Sequence, residues 1–489
     1  MLTYQDFLAA PDRAAFIAKA IQQHMSSALY LTARDADLYN QQRNVTINRV
    51  SKTYYNAAGQ QVPDEISSNN RLASNYFKHF NRQRCSYLMG NGVSFTRMER
   101  RVNDRGIMYN ADVIKETLGE KFDVQAYRWA YKALTNGRSF GFWDSERLYV
   151  FPVTSFVPLY DEDDGSLQAG IRFWRLDSDK PWTAELYETE GVTTYRTRAR
   201  SRGMDFVAQT DEPVPYAVQY VYTEAEGDSA VGAVSYSRLP VIEMRGNEEG
   251  QSTLTGLRAK IDAYDLIQSG FCNTLEDCSE IYWIIQNCGA MTQKDIKKFM
   301  DDIRLRHIAS VDTKSFDGDA KSGLSPYVQD VPYQARKAFL DDLRASMYED
   351  FGAVDVHALS AGSTNDHIDA AYQPLEDACD EFEVQVIDAI QQLLALMGIE
   401  DTPQFKRNRS SNVKETIEAI MLEANYLDEE TVLELLPNLT VDQKDAVMQR
   451  RAGEDAERLR VNRNTGKTGD SEQETGIENQ NDDAQTSAE

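Results

Sequence analysis

The fold of this chain is decided by residues 239–286, which read LPVIEMRGNEEGQSTLTGLRAKIDAYDLIQSGFCNTLEDCSEIYWIIQ. A short apolar run is followed by a glycine-rich acidic break, and a helical pattern begins after Ser252, a residue type that caps helix N-termini. Apolar residues then recur at alternating spacings of three and four, interrupted at Gln268, which predicts a long helix with one narrow contact line and another face open to water. We expect this line to pack against copies of itself or against one neighbouring element. Its residues, interpreted as an oligomerisation seam, are Leu254, Leu257, Ile261, Tyr264, Phe271 and Leu275.

Length and composition restrict the class of protein. A chain of 489 residues can hold about two to four compact units and bury a sizeable core. No apolar run reaches the roughly 18 residues of a membrane span, and the first residues lack the basic and apolar regions of a signal peptide. The 5 cysteines are odd in number and scattered, which favours reduced thiols in a cytosolic compartment.

The net charge of -26 argues against a conventional nucleic-acid-binding protein, because such proteins need a basic surface to replace counterions on phosphate. The acidic residues are spread along the chain. The segment 461–489 combines a high acidic content with almost no apolar residues, so it is predicted to be disordered.

Signals for catalysis or cofactor binding are poor. Gly466-Lys467-Thr468 is similar to the end of a phosphate loop, but Val461 stands where the first glycine is needed. The 5 histidines show no zinc-site spacing. We therefore predict no enzyme activity, no cofactor and no metal.

Four segments, in the same order along the chain, resemble the portal proteins of tailed bacteriophages, specifically the SPP1-like family. Residues 239–265 are similar to the strand, acidic break and helix at that family's stem entry. Residues 69–95 resemble its "NN-helix-YLxGxPVxF" signature, with Asn91-Gly92 in place of the usual residue and proline. Residues 134–160 resemble its "xxxGxAY" turn and the strand after it, and residues 429–437 its "S-x-E-T-x-L-x-x-L-P" crown signature, with Asp428 where Ser or Thr is common.

The resemblance implies an α+β chain with the portal-protein fold: a mixed α/β wing, long stem helices, a small α/β clip, a kinked long helix and a helical crown. The kink is expected at Pro374, which removes a backbone donor inside the helix. The implied divisions are an N-terminal helical arm at 1–35, the wing at 36–238, a strand and first stem helix at 239–278, the clip at 279–331, the second stem helix at 332–351, a tunnel loop at 352–367, the kinked helix at 368–399, the crown at 400–460 and the acidic tail at 461–489.

The resemblance also implies that the stem helices surround a tunnel through which double-stranded DNA passes. Acidic stem residues outnumber basic ones, and repulsion over a Debye length of about 8 Å would keep the duplex centred. The alternative is an ordinary solvated helix face, and for the loop an ordinary connection between helices. The predicted lining residues of the DNA channel, in the tunnel loop and stem, are Val354, Val356, His357, Leu359, Ser360, Asn365, Arg336, Lys337, Asp341 and Arg344.

The clip carries the densest basic cluster on the side that would meet the packaging motor. Its residues, predicted to dock an acidic partner surface, are Lys294, Lys297, Lys298, Arg304 and Arg306; the alternative is the solvated face of an amphipathic helix.

The partners implied by the resemblance are further copies of the chain in a ring of about twelve, the terminase large subunit, the head-tail connector or adaptor, the scaffolding and major capsid proteins, and the DNA in the channel, with no membrane. The expected location is the portal vertex of the virion, after assembly in the host cytoplasm.

Two other classes of protein stay open. One is a different ring-forming connector or minor head protein, which would not need two long helices flanking a small unit. The other is a cytosolic enzyme that uses residues 36–238 as a substrate domain, which should show a convergent polar constellation.

Overall fold

The computed structural model describes residues 2–49, 51–55, 60–64, 68–102, 108–198, 203–210, 212–222, 229–234, 236–277, 282–286, 294, 323–327, 333–355, 365–407, 413–424, 431–432, 447 and 450. Two compact units divide the chain. The first comprises Met1–Ala358 with Ala371–Arg409, and the second comprises Leu359–Ala370 with Ser410–Glu489.

Helices and strands are both abundant in the described part, which confirms the α+β class. The helices are α1 Tyr4–Leu8, α2 Arg13–Met25, α3 Ala28–Asn40, α4 Val45–Arg49, α5 Tyr76–Met89, α6 Val113–Leu118, α7 Phe122–Asn136, α8 Leu254–Asp277, α9 Tyr333–Phe351, α10 Asn365–Leu396 and α11 Val413–Glu423. The strands are β1 Thr53–Tyr55, β2 Gln61–Pro63, β3 Val93–Ser94, β4 Met98–Val102, β5 Met108–Asp112, β6 Arg138–Trp143, β7 Leu148–Pro152, β8 Phe156–Tyr160, β9 Leu167–Trp174, β10 Thr183–Glu188, β11 Gly191–Thr197, β12 Phe206–Ala208, β13 Ala217–Tyr222, β14 Ser229–Val234, β15 Val241–Arg245, β16 Tyr282–Gln286, β17 Gly323–Tyr327 and β18 Gln404–Phe405.

The predicted N-terminal arm is packed into the body of the first unit. A five-stranded antiparallel sheet of order β12-β11-β10-β9-β8 presents one apolar face to α1 and α2. Phe7, Phe16, Ile17 and Ile21 are buried in that layer, because the helical spacing places them on one side of their helices. The helices of this segment therefore contribute to the core of the first unit.

A second layer joins α7 to the three-stranded sheet of order β15-β6-β7. Trp129 of α7 is buried against this sheet, and its indole N–H donates to the Ser139 carbonyl at 3.2 Å. Phe382 and Leu393 of α10 belong to the same core cluster. The long helix α10 thus completes the core that the middle of the chain builds.

The two predicted stem helices are confirmed as the helices α8 and α9. In the sequence, β16 follows α8 and β17 precedes α9, and these two strands pair with each other in antiparallel fashion. The predicted kinked helix is the continuous helix α10, which contains Pro374 and begins three residues earlier than expected. The crown boundary at residue 400 does not match the structure, because β18 pairs with β3 inside the first unit. In the second unit, α11 is a helix within the range predicted for the helical crown, and the acidic tail lies outside the described residues.

Candidate functional site

Helices α8 and α9 form an antiparallel pair, the feature most relevant to the predicted stem. At one end, the rings of Phe271 and Tyr333 lie 5.7 Å apart, and Arg336 donates to the Thr274 hydroxyl at 3.0 Å. At the other end, the Lys260 ammonium contacts the Ser346 hydroxyl and the Asp350 carboxylate. Contacts at both ends fix the register of the pair within one chain.

The predicted seam is largely occupied by this chain's own residues. Leu254, Leu257 and Ile261 are 0%, 2% and 1% exposed, in a cluster formed with α3, α5 and α9. Tyr264 packs edge-on to Tyr76 of α5, at 5.1 Å between ring centroids. These positions present almost no surface to another copy. Among the seam residues Leu275 stands out at 52% exposure, so the oligomerisation role stays a prediction carried mainly by that position.

A second face of α8, expected to be open to water, is covered by the chain before α5. The buried side chains Asp265, Ser269 and Asn273 lie four residues apart, one above the other on the helix. They accept hydrogen bonds from the backbone N–H groups of Ser74 at 2.9 Å, Leu72 at 2.9 Å and Asn70 at 2.6 Å. We call this arrangement the polar ladder. Alternate residues of an extended segment thus find their partners at successive turns of one helix.

The polar ladder changes the interpretation of the acidic stem. Asp262 and Asp265 are two of the acidic residues in the predicted first stem helix. Asp262 accepts from the Thr46 hydroxyl at 2.7 Å, and Asp265 accepts from the Asn44 amide at 2.8 Å. Burial raises the pKa of the Asp265 carboxyl, and its hydrogen bonds with Asn44 and Ser74 oppose that rise. These two carboxylates are engaged by hydrogen bonds within the chain, whereas Glu248, Glu249, Asp341 and Asp342 are exposed.

The predicted tunnel loop begins as a fixed structure. Helix α9 ends in a Schellman motif, with Ala353 N–H donating to the Tyr348 carbonyl at 2.9 Å and Gly352 N–H to the Glu349 carbonyl at 3.1 Å. The Gln83 side chain of α5 makes two hydrogen bonds with the Val354 backbone, at 2.9 and 3.0 Å. Val354 is therefore a buried anchor. The structure places it in the protein interior and not on a channel wall.

The remaining predicted channel residues divide into three groups. Arg344 Nη2 donates to both carboxylate oxygens of Asp355, at 2.8 and 2.9 Å, and Arg336 is held by Thr274 and the Phe271 ring. Lys337 and Asp341 are exposed, and Asn365 is the first residue of α10. The others, Val356, His357, Leu359 and Ser360, lie outside the described residues.

The predicted clip is described at its two strands and at Lys294, which is exposed. Its other predicted docking residues, Lys297, Lys298, Arg304 and Arg306, lie outside the described residues.

Sequence reasoning missed a cavity of about 670 Å³ beside the helix pair. Tyr76, Tyr264 and Tyr348 contribute to its walls, and Gln268 lines it where the apolar series of α8 is interrupted. The Ser74 hydroxyl is buried with no hydrogen-bond partner among the described atoms. The one polar break in the apolar series was the available signal for this cavity.

Within the described ranges, no three His, Cys, Asp or Glu side chains converge as metal ligands would. The helices in those ranges include none whose length and apolar character would suffice to cross a membrane.

Comparison with known proteins agrees with this architecture. The family model for "Phage portal protein, SPP1 Gp6-like" matches residues 34–464. The portal protein of Bacillus phage SPP1 is 24% identical over 376 residues, covering 76% of this chain and 69% of that protein. The portal protein of Clostridium phage phiCD119 is 26% identical over 183 residues, covering 36% of this chain and 40% of that protein.

Two solved structures also match. They are the neck of the native GTA particle computed with C12 symmetry and the neck of the empty GTA particle computed with C6 symmetry, with TM-scores of 0.37 and 0.38. Both are 8% identical and cover 74% of this chain, and the matches span 89% and 90% of those chains.

The match over most of the sequence defines a portal protein of a tailed phage. The chain belongs to the SPP1 Gp6-like family of phage portal proteins. Portal proteins of phages are structural components of the virion.

Proposed function

We propose that this chain forms a ring at one vertex of the capsid and provides the channel through which double-stranded DNA is packaged and later ejected. The observation that carries the proposal is the antiparallel pair α8–α9, with the β16–β17 strand pair between them in sequence, inside a chain that belongs to a portal family. Two helices locked in register make a rigid wall element that can be repeated around an axis.

The DNA-facing surface of this channel consists of side chains that α9 leaves exposed. Lys337, Asp341 and Asp342 mix both signs of charge, which suits a surface that must guide a duplex without holding it. The fixed start of the tunnel loop supports the same function, since the Gln83 side chain holds the Val354 backbone just after the end of α9.

The protein partners would be the terminase large subunit and then the head-tail connector at the clip, and the scaffolding and major capsid proteins at the wing and crown. The exposed Lys294 is the described part of the predicted clip surface. Assembly would take place in the host cytoplasm before DNA is packaged.

Electron microscopy of the purified chain in negative stain tests the proposal. The expected result is a closed ring of about twelve copies with an axial hole wide enough for a DNA duplex. Discrete monomers at micromolar concentration, or rings without an axial hole, would contradict it.

A further inference from the structure

An exposed group of cations without ionic partners lies on α5 and α7. We define the basic patch as Lys78, Arg82, Arg128, Tyr127 and Tyr131. Arg82 and Arg128 are exposed and Lys78 is half-buried, with Lys78 and Arg82 one turn apart on α5. No carboxylate of the described residues forms an ion pair with any of the three cations. Such a group is unusual in a chain whose net charge is -26.

Two tyrosines give the basic patch a flat, half-buried aromatic centre. The Tyr127 and Tyr131 rings are stacked, with centroids 6.3 Å apart and planes inclined by 7°. The Tyr127 hydroxyl bonds the Ser86 hydroxyl at 2.9 Å, which ties α7 to α5. Burial raises the pKa of both tyrosines, and the nearby Arg82 charge opposes that rise. The Arg82 guanidinium and the phenol rings of Tyr127 and Tyr131 therefore lie on one surface.

A complementary surface lies on α10. Asp377, Glu381, Val384 and Asp388 recur at spacings of four, three and four, so they share one face of the helix, which we call the acidic stripe. All are exposed, and Val384 is 62% exposed in the middle of the stripe. In the described part of the chain, the Asp377 and Asp388 carboxylates accept from the Gln373 and Gln392 amides of the same helix, both at 2.8 Å. No described Lys or Arg forms an ion pair with the three carboxylates; the nearest cationic influence is the largely buried Arg84, whose pKa burial lowers and the Glu381 charge raises.

We propose that the basic patch of one copy docks on the acidic stripe of the next copy in the ring, which specifies an interface for the proposed function and rests on it. A closed ring needs two different, mutually complementary surfaces on every copy, because each copy contacts one neighbour through each of them. Tyr and Arg are enriched in the buried centres of interfaces, and the stacked tyrosines suit the apolar Val384. Strongly acidic copies repel one another, so an unneutralised cationic surface is the natural site for attraction.

The test exchanges charge across the proposed contact in the full-length chain. Arg82→Glu and Glu381→Lys are made singly and together, and the ratio of ring to subunit is measured by sedimentation velocity at fixed salt. Lys19→Glu and Glu120→Lys are the matched controls, because both positions are exposed and the charge changes are the same. Circular dichroism melting of every variant separates loss of the ring from loss of the fold.

Each single exchange should lower the ring-to-subunit ratio by about tenfold or more relative to its control, and the combined variant should restore the ring. Rings that tolerate both single exchanges, or a combined variant no better than the single ones, would overturn the docking proposal alone. Loss of duplex-DNA binding by Arg82→Glu with intact rings would assign the basic patch to DNA and also overturn it. A wild-type chain that forms no ring would overturn the proposed function as well.

Discussion

At the scale of single residues, the junction after α9 shows how local conformation positions a functional segment. Gly352 has φ +65°, a left-handed conformation that L side chains rarely adopt, and a Cβ there would lie 2.6 Å from the Pro374 carbonyl oxygen. Gly352, just after the second stem helix, therefore lies against the backbone of α10 at Pro374, a residue that has no backbone N–H. The close approach requires a residue without a side chain.

Substitution of Gly352 by Ala should be markedly destabilising. The left-handed conformation alone costs about 1 to 2 kcal/mol, and the clash with backbone adds to it. The measurement is the urea midpoint followed by tryptophan fluorescence. Gly398→Ala is the matched control, because its φ is +69° and nothing lies within 4 Å of its Cβ position. Equal shifts in the two variants would show that the contact with Pro374 is unimportant.

The buried Asp265 should make stability depend on pH. Its pKa is raised by burial, so the native state keeps the proton to a higher pH than the unfolded chain does, whose value is about 3.9. Its contribution to the unfolding free energy is therefore complete below that value and is lost as pH rises through the raised pKa.

Urea midpoints of wild type and Asp265→Asn, measured from pH 4 to 7, test this sign. The urea midpoint of wild type minus that of Asp265→Asn should fall as pH rises. Asp341→Asn is the control, because it removes an exposed carboxylate. A difference that grows with pH would mean that the hydrogen bonds from Asn44 and Ser74 outweigh desolvation.

At the scale of elements, α8 presents three different faces. Its apolar line meets α3, α5 and α9, the polar ladder holds residues 70–74, and Leu266 and Leu275 remain exposed. A narrow apolar line that resembles a coiled-coil seam can be satisfied inside one chain, because it packs on neighbouring helices while hydrogen bonds cover a second face and a third stays exposed.

The original seam hypothesis can be separated from intrachain packing by two variants of α8. Leu257→Asp places a charge in the core and should cost about 3 to 5 kcal/mol, which lowers the melting temperature of the subunit itself. Leu275→Asp, at an exposed position, should leave the melting temperature nearly unchanged. Light scattering of the Leu275→Asp variant reports on the ring; an unchanged ring population would remove the last exposed seam residue from the oligomer interface.

The polar ladder can be tested at its middle step. Ser269→Ala leaves the Leu72 N–H without its acceptor, at a cost of about 1 to 3 kcal/mol if the group stays buried. Hydrogen exchange of a peptide covering residues 70–74 should accelerate in this variant, while Thr255→Ala on an exposed turn of the same helix should have no effect. Unchanged protection of residues 70–74 would show that the ladder does not hold the segment.

At the scale of the whole molecule, the charge distribution matters more than the net charge of -26. Part of the acidic content is used internally, as at Asp262 and Asp265, and part forms the acidic stripe of α10. The basic patch, whose cations form no ion pair with a described carboxylate, is proposed to dock on another copy of the chain. DNA then meets a surface with few positive charges available to it.

Pre-formed rings should therefore bind short duplex DNA weakly. Few counterions are released when few phosphates are neutralised, so a Kd of about 1 µM or weaker is expected at physiological salt. Fluorescence titration of the rings at several salt concentrations provides the measurement. Nanomolar affinity that falls steeply with salt would contradict the account of a channel that guides DNA without holding it.

The sequence by itself determined the elements and the family. Periodicity predicted the long helix after Ser252, which the structure has at 254–277, since apolar spacing is a local property of the chain. The second stem helix, implied at 332–351 by the family resemblance, is the helix at 333–351. Four short segments in order indicated the portal family before any contact was known. The helical nature of the first residues was also readable from their spacing.

Only the tertiary structure decided which faces of those elements are used. Leu254, Leu257 and Ile261 proved to be core, and Asp265 proved to be buried, because partners from residues 28–89 and 333–351 reach α8 over long sequence separations. The polar ladder depends on an extended segment that carries no periodic signal, since its backbone and not its side chains makes the contacts. Spacing along a helix specifies which residues share a face, but only the folded chain specifies what covers that face.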